Sequence, residues 1–126
     1  MPKTTISTAD APSAIGTYSQ AIKHGDTVYI SGQIPLIPAT MEMVSDDIVE
    51  QITQVFTNLA NICSAAGGDL NDVVKFNVYL TDLNNFTAVN TVMEGCLESP
   101  YPARAAIEVS ALPKGALVEV DAVMAI

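Results

Sequence analysis

The sequence predicts an α+β fold in which one mixed β-sheet carries two helices on a single face. Three observations predict it: a long amphipathic helical stretch in the middle of the chain, a shorter one after it, and flanking segments in which apolar and polar residues alternate. The predicted order is strand, strand, helix, strand, helix, strand, strand, which suits a two-layer sandwich whose second sheet face is available. With 126 residues the chain is long enough for one such core, so we expect a single domain over residues 1–126.

The first half of the chain contains a hairpin and the longer helix. Two short strands, Tyr18 to Lys23 and Thr27 to Ile34, flank the turn His24-Gly25-Asp26, and a proline-rich loop follows. Ser45 to Asp47 supply caps for the helix, and Gly67-Gly68 ends it. Its apolar residues recur at spacings of four and three: Ile48, Ile52, Val55, Leu59, Ile62 and Ala66, widened by Val49, Phe56 and Cys63.

The second half alternates strand, helix, strand, strand. The next strand shows its alternation at Val74, Phe76, Val78 and Leu80. A shorter helix, opened by Asp82 or Asn84, ends before Pro100, and its inward residues are Phe86, Val89, Met93 and Cys96. The last two strands are joined by a turn at Pro113 to Gly115.

These last two strands carry charges between apolar neighbours. Arg104, Ala106 and Glu108 share one strand face, because successive side chains point to opposite sides. If the apolar faces of both strands meet one core, Arg104 and Glu119 lie together on the opposite face. The alternative is a solvated face with an exposed ion pair, which contributes about 0–1 kcal/mol to stability.

Composition and charge narrow the classes of partner. The chain is 49% hydrophobic and only 15% charged, against about 25% charged in an average domain, so it has more apolar surface than a small domain can bury alone. We therefore expect a homo-oligomer that turns the predicted Arg104 and Glu119 face into an intersubunit cleft. A net charge of -9 repels phosphate backbones, so nucleic acid is not an expected partner.

Other classes of site and location are disfavoured. No apolar run approaches the roughly 20 residues of a membrane span, and the N-terminus lacks the apolar region of a signal peptide, so we expect a cytoplasmic protein. Cys63 and Cys96 lie far apart and fall on apolar helix sides, as buried reduced cysteines do. With His24 as the one histidine, neither a zinc site nor a Cys-His pair is predicted.

Four segments resemble the RidA family, also called the YjgF/YER057c/UK114 proteins. They are Gly-Thr-Tyr-Ser-Gln-Ala at Gly16 to Ala21, Ser-Gly-Gln-Ile-Pro at Ser31 to Pro35, Asp-Leu-Asn-Asn-Phe at Asp82 to Phe86, and Pro-Ala-Arg from Pro102 together with Glu119-Val120-Asp121. The resemblance implies a chorismate-mutase-like α+β fold and a homotrimer with three intersubunit clefts. It also implies 2-iminobutanoate/2-iminopropanoate deaminase activity, that is, hydrolysis of imines released by pyridoxal-phosphate-dependent dehydratases, without a cofactor or metal.

Site residues follow from the resemblance and from the chemistry of a 2-imino acid. The planar carboxylate suits the bidentate fork of Arg104, which we expect to bind it. By resemblance, main-chain groups of Ser31, Gly32 and Ala106 contact the substrate, and Tyr18 and Phe86 shape the cleft. We expect Glu119, with the Tyr18 hydroxyl, to position and polarise the attacking water.

The resemblance is incomplete, and alternatives remain for each residue. Thr17 stands where the family often has proline, Ala106 where many members have cysteine, and Asp121 where glutamate is frequent. A main-chain role for Ala106 survives, whereas a thiol role does not. Taken alone, these residues also fit structural roles. Tyr18 fits an edge-strand aromatic, Ser31 and Gly32 fit a strand bulge, and Phe86 fits an anchor of the second helix to the core. Two other functions stay open: a module that binds 2-oxo acids without turnover, and, less favoured by the acidic charge, a ribonuclease or translation inhibitor.

Overall fold

Both helices pack on one face of a single mixed sheet, as predicted, and the sheet has six strands where five were predicted. The computed structural model describes residues 2–126. The strands are β1 (Thr4–Ile6), β2 (Ala21–His24), β3 (Thr27–Gln33), β4 (Val73–Leu80), β5 (Ala103–Glu108) and β6 (Val118–Ala125); the helices are α1 (Ile48–Ala65) and α2 (Phe86–Cys96). Short 3-10 turns cover Leu70–Asp72, Leu83–Asn85 and Pro113–Gly115. The strand order is β1-β2-β3-β6-β4-β5, and β4 with β5 is the parallel pair.

Helix α1 begins where its predicted cap lies. The Asp47 carboxylate accepts a 2.9 Å hydrogen bond from the Glu50 N–H, and Gly67, with φ +94°, follows the last turn. The predicted stripe is buried, or at Ile48 and Ala66 partly buried against the core, except at Val49, which is 50% exposed and was wrongly placed in the core. The stripe also contains two buried polar residues that its periodicity did not indicate, Gln51 and Asn58.

The core lies between α1, α2 and the inner face of the sheet. Four alternate residues of β6 form its centre and are at most 2% exposed: Val118, Val120, Ala122 and Met124. The rings of Phe56 in α1 and Phe76 in β4 meet edge-to-face, with centroids 5.4 Å apart. The apolar residues at every second position of the strands therefore pack, in one layer, against the apolar residues that recur every 3.6 positions along the helices.

Two strands differ from simple alternation. In β4 the register with β6 shifts between Val73 and Lys75, so Val73 is buried and Val74 is 49% exposed, opposite to the prediction. In β3 the register with β6 shifts between Ile30 and Gln33, which puts a bulge at Ser31 and Gly32. The short strand β1 was not predicted; it lengthens the sheet by pairing with β2.

Helix α2 follows a 3-10 turn whose N–H groups are capped by two carboxylates, one from a neighbouring residue and one from a distant strand. The Asp82 carboxylate accepts from the Asn84 N–H, and the Glu108 carboxylate of β5 accepts from the Leu83 N–H, each at 2.9 Å. Cys96, at the end of α2, is exposed, which corrects its predicted inward position. Cys63 in α1 is buried as predicted, and burial raises the pKa of its thiol to about 12.

In the described part of the chain, no helix packs on the second face of the sheet, here called the open face. Ile22, Tyr29 and Val123 stand side by side on it, since β2, β3 and β6 pair these residues in register. Tyr29 is 54% exposed and Ile107 of β5 is 50% exposed. No helix within residues 2–126 has the length and apolar character needed to cross a membrane.

Candidate functional site

Arg104 lies on the helix-facing side of edge strand β5. It pairs in register with Phe76 of β4, a residue buried beneath the helices. Glu119 lies on the opposite side of the sheet. It pairs with Tyr79 of β4, and Tyr79 pairs with Ile107 of β5 on the open face. The prediction that Arg104 and Glu119 share one face is therefore wrong.

The cause of this error is the edge position of β5. Its helix-facing side meets the flank of α2, where a long arginine side chain lies against Phe86 and reaches Asn90. Its more apolar side, with Ala105 and Ile107, lies on the open face and is exposed. An apolar strand face indicates the core only where that face is covered within one chain.

Three side chains of α2 surround the Arg104 guanidinium. Its Nη1 donates to Asn90 Oδ1 at 2.6 Å and approaches Met93 Sδ at 3.6 Å, while Cζ lies 4.7 Å from the centroid of the Phe86 ring. All three of these partners are uncharged. A cavity of about 330 Å³ opens beside the guanidinium, between α2 and the chain at Tyr101 and Pro102. The site therefore presents a positive charge that no contacting carboxylate of residues 2–126 neutralises.

Glu119 lies on the open face beside the bulge of β3. A Cβ atom built on Gly32 would stand 3.0 Å from Glu119 Cδ, so the carboxyl group rests against a position that only glycine leaves clear. Burial raises the pKa of the Glu119 carboxyl above its ordinary value, and the nearby charge of Asp121 raises it further. A raised pKa makes the Glu119 carboxylate a stronger base than an exposed glutamate, so it accepts a proton more readily.

Ser31 and Tyr18 border the same region. The Ser31 hydroxyl donates to Ser19 O at 2.6 Å, and its N–H donates to Gln20 O at 3.0 Å, so these groups fix the bulge against the preceding loop. Tyr18 is 53% exposed, and its hydroxyl oxygen accepts from the Ile15 N–H at 3.3 Å. The hydroxyl proton of Tyr18 remains able to donate. A cavity of about 450 Å³ runs past Tyr18 and Gly32, with walls that include Ile34, Leu36 and Met41.

A polar network next to Glu119 was not predicted. Asn77 Nδ2 donates to Asp121 Oδ1 at 2.7 Å, and the Tyr79 hydroxyl donates to Asp121 Oδ2 at 2.9 Å. The hydrogen bond to Asp121 is the main cause that raises the pKa of Tyr79. These two bonds give Asp121 a structural role. The signal was present in the sequence, since Asn77 and Tyr79 are polar at alternate positions of one strand.

The predicted site residues thus fall into two groups within one chain. The arginine group is Arg104, Phe86 and Ala106, with Ala106 half-buried opposite Val78 on the helix side. The glutamate group is Tyr18, Ser31, Gly32 and Glu119. Asn90 completes the arginine group and was missed, although its four-residue spacing from Phe86 puts both on one helix face. Within residues 2–126 no cluster of three or more His, Cys, Asp or Glu side chains is placed to hold a metal ion.

Comparison with known proteins gives concordant matches over nearly the whole chain. A family model described as "Endoribonuclease L-PSP" matches residues 8–126. The chain is 54% identical to the RutC family protein y4sK of Sinorhizobium fredii over 121 residues, 96% of each protein. It is 50% identical to the 2-iminobutanoate/2-iminopropanoate deaminase of Capra hircus over 118 residues, which are 94% of this chain and 86% of the goat protein. The crystal structure of RidA from the Antarctic bacterium Psychrobacter sp. PAMC 21119 superposes with a TM-score of 0.94 at 56% identity, over 98% of this chain and 99% of that one.

Proposed function

Because this chain belongs to the RidA family, we propose that it hydrolyses 2-iminobutanoate and 2-iminopropanoate, released by pyridoxal-phosphate-dependent dehydratases, to 2-oxo acids and ammonia. Relatives that carry the name 2-iminobutanoate/2-iminopropanoate deaminase are 45–50% identical to it and support this activity. The single observation that carries the proposal is the Arg104 guanidinium, whose contacts are all uncharged.

Arg104 binds the substrate carboxylate in this proposal. A guanidinium presents two parallel N–H groups that match the two oxygens of a planar carboxylate. The guanidinium carbon lies over the Phe86 ring, and the contacts with Asn90 and Met93 are both made by Nη1, so the other N–H groups are left for the ligand. Within residues 2–126, strand β5 pairs only with β4, so its outer edge has main-chain groups free to bind the substrate near Ala106.

Glu119 acts as general base and then as general acid. It takes a proton from water while the water oxygen bonds to the carbon of the protonated imine, and the C=N bond becomes a single bond. The proton then passes to the nitrogen. As the C–N bond breaks and ammonia leaves, the hydroxyl proton returns to the Glu119 carboxylate, which later releases it to solvent, and the C=O bond of the 2-oxo acid forms. The Tyr18 hydroxyl, whose oxygen accepts from the Ile15 N–H, keeps a proton to orient the water.

The active cleft forms between copies of the chain. Arg104 and Glu119 lie on opposite faces of one sheet, so one substrate molecule contacts both residues only if they belong to different copies. We propose a homotrimer, which provides three such clefts and covers the exposed apolar residues of the open face. Holding water and imine together in the cleft supplies much of the acceleration.

The ribonuclease function named in the family description is less well supported by this chain. Five basic residues against fourteen acidic ones give a net charge of -9, which opposes binding to a phosphate backbone. An RNA-binding assay at two salt concentrations checks this point. Strong, salt-sensitive binding would favour the ribonuclease function.

The test measures 2-oxobutanoate formation while a threonine dehydratase generates the imine in the presence of semicarbazide, which competes for it. We expect wild-type protein to accelerate 2-oxobutanoate formation, and Arg104→Ala and Glu119→Gln to lose the acceleration. The two variants separate by binding: Glu119→Gln retains affinity for 2-oxobutanoate, whereas Arg104→Ala loses it. Folded wild-type protein that binds 2-oxobutanoate without acceleration would instead make it a binding module.

A further inference from the structure

We propose that Asn90 is a positioning residue that fixes the Arg104 guanidinium in the orientation that receives the substrate carboxylate. Asn90 would not touch the substrate; it would act through Arg104. This inference rests on the proposed function, because it assigns Asn90 a part in binding the same 2-imino acid.

The first support is the spacing of the residues on α2. Phe86, Asn90 and Met93 are separated by four and three positions, so they form one continuous strip along the helix. All three contact the same guanidinium: the ring of Phe86 lies against its face, while Asn90 Oδ1 and Met93 Sδ approach Nη1. The ring restrains the plane of the guanidinium, and the amide oxygen restrains its rotation within that plane.

The second support is the exposure of the arginine. Arg104 extends from an edge strand into solvent, where an arginine side chain would otherwise sample many rotamers. Of its three contacts, the Asn90 bond is the short and directional one at 2.6 Å. Loss of this bond would free the guanidinium to rotate, so each carboxylate captured would first have to order it.

The third support is the chemical identity of the acceptor. An amide oxygen accepts from the guanidinium without neutralising it, so the positive charge remains for the ligand. A carboxylate at position 90 would form an ion pair with Arg104 and compete with the substrate. Asn90 is therefore expected to be sensitive to replacement by Asp, although Asp has nearly the same shape.

The experiment compares Asn90→Ala and Asn90→Asp with the wild type and with Thr91→Ala, a matched change of an exposed residue on the same helix. The measurements are KM and kcat for the imine, the Kd for 2-oxobutanoate by calorimetry, and Tm. For Asn90→Ala we expect KM and Kd to rise about tenfold, with kcat within about twofold of wild type. For Asn90→Asp we expect a larger rise, and for Thr91→Ala none.

Two outcomes would overturn the role of Asn90 while leaving the proposed function intact. One is a wild-type KM and Kd in folded Asn90→Ala. The other is an equal effect of Ala and Asp that follows the loss of Tm, as a purely structural role predicts. If the wild type does not hydrolyse the imine, the proposed function fails, and the Kd for 2-oxobutanoate decides the role of Asn90 alone: weaker binding by Asn90→Ala supports it and unchanged binding overturns it.

Discussion

The Asp121 carboxylate is close enough to Glu119 to affect its protonation. The pKa of Glu119 is raised first by burial and then by the negative charge of Asp121, which disfavours a second charge nearby. A base must be ionised to accept a proton from water, so activity falls as the pH drops through this pKa. Asp121→Asn removes one of the two causes. We therefore expect the acid limb of the kcat/KM profile to move to lower pH.

The control for this shift is Asp46→Asn, which removes an equal charge from the exposed residue before the α1 cap. Its profile should coincide with that of the wild type, because Asp46 is not among the groups that raise the pKa of Glu119. An unchanged acid limb in Asp121→Asn, or a shift to higher pH, would mean that a group other than Glu119 sets it.

The main site residues were predictable because their chemistry is visible in the sequence. Arg104 and Glu119 stand out as charges between apolar neighbours, and the family resemblance assigned their partners. Their relative placement was not predictable from alternation, because alternation fixes which residues share a strand face but not which face of an edge strand turns inward. Met93 was correctly predicted to face inward, but its contact with Arg104, like that of Asn90, was not predicted because it depends on a residue of another element.

The bulge in β3 brings Gly32 against Glu119, and this contact can be tested directly. In Gly32→Ala the new methyl group would stand 3.0 Å from Glu119 Cδ and displace the carboxylate. Since Glu119 is a flexible side chain on the open face, we expect the fold to survive, with Tm within a few degrees, while kcat falls about 100-fold or more, the order attributed to a misplaced acid/base group.

Gly95→Ala provides the matched control for that change. A Cβ at this exposed position of α2 meets nothing within 4 Å, and replacing a helical glycine by alanine stabilises by about 0.5–1 kcal/mol. Full activity is therefore expected with an equal or higher Tm. Normal kcat in Gly32→Ala would show that the position of Glu119 is not set by this glycine.

Helix α1 is held to its neighbours by a polar residue inside its apolar stripe. Gln51, only 2% exposed, donates to Ser45 O at 2.8 Å and accepts from the Leu117 N–H at 2.9 Å. Gln51→Leu leaves both main-chain groups without these partners, so we expect a loss of about 1–3 kcal/mol in the free energy of unfolding, measured by urea denaturation. Thr57→Ala, on the exposed side of α1, should change it by less than about 0.5 kcal/mol.

Periodicity predicted the longer elements well and the irregular ones poorly. It placed α1 and the buried residues of β6 correctly because each repeats its pattern over many residues. Val74 was assigned to the core because the register shift at Val73 has no local sequence signal, and the strand Thr4–Ile6 was missed because three residues are too few to show a period. Gln51 was missed because its role depends on Leu117, which is distant in sequence.

The molecule as a whole has an excess of apolar surface that its own helices do not cover. The predicted oligomer followed from composition, and the open face now gives that excess a location: Ile22, Tyr29 and Val123 form one row across three strands. Ile107 adds to this surface in the row that also contains Tyr79 and Glu119. Burial of such residues favours association of copies through the same face that carries the glutamate group.

A site shared between copies predicts that two inactive variants complement each other, whereas a site within one chain does not. Arg104→Ala retains a complete glutamate group, and Glu119→Gln retains a complete arginine group, so each variant alone is inactive for a different reason. In a mixed trimer, one of the three clefts would combine Arg104 from one variant with Glu119 from the other. Random assembly of equal amounts would therefore restore about a quarter of wild-type imine hydrolysis, the statistical yield for a cyclic trimer.

The mixture is prepared by co-expression with two different affinity tags, so that trimers containing both variants can be isolated. Those purified mixed trimers should reach about a third of the wild-type rate, because each holds one intact cleft of three. A mixture of separately purified variants that have not exchanged subunits should stay inactive and serves as the control. Persistent inactivity of isolated mixed trimers would show that Arg104 and Glu119 do not act on one substrate from neighbouring copies.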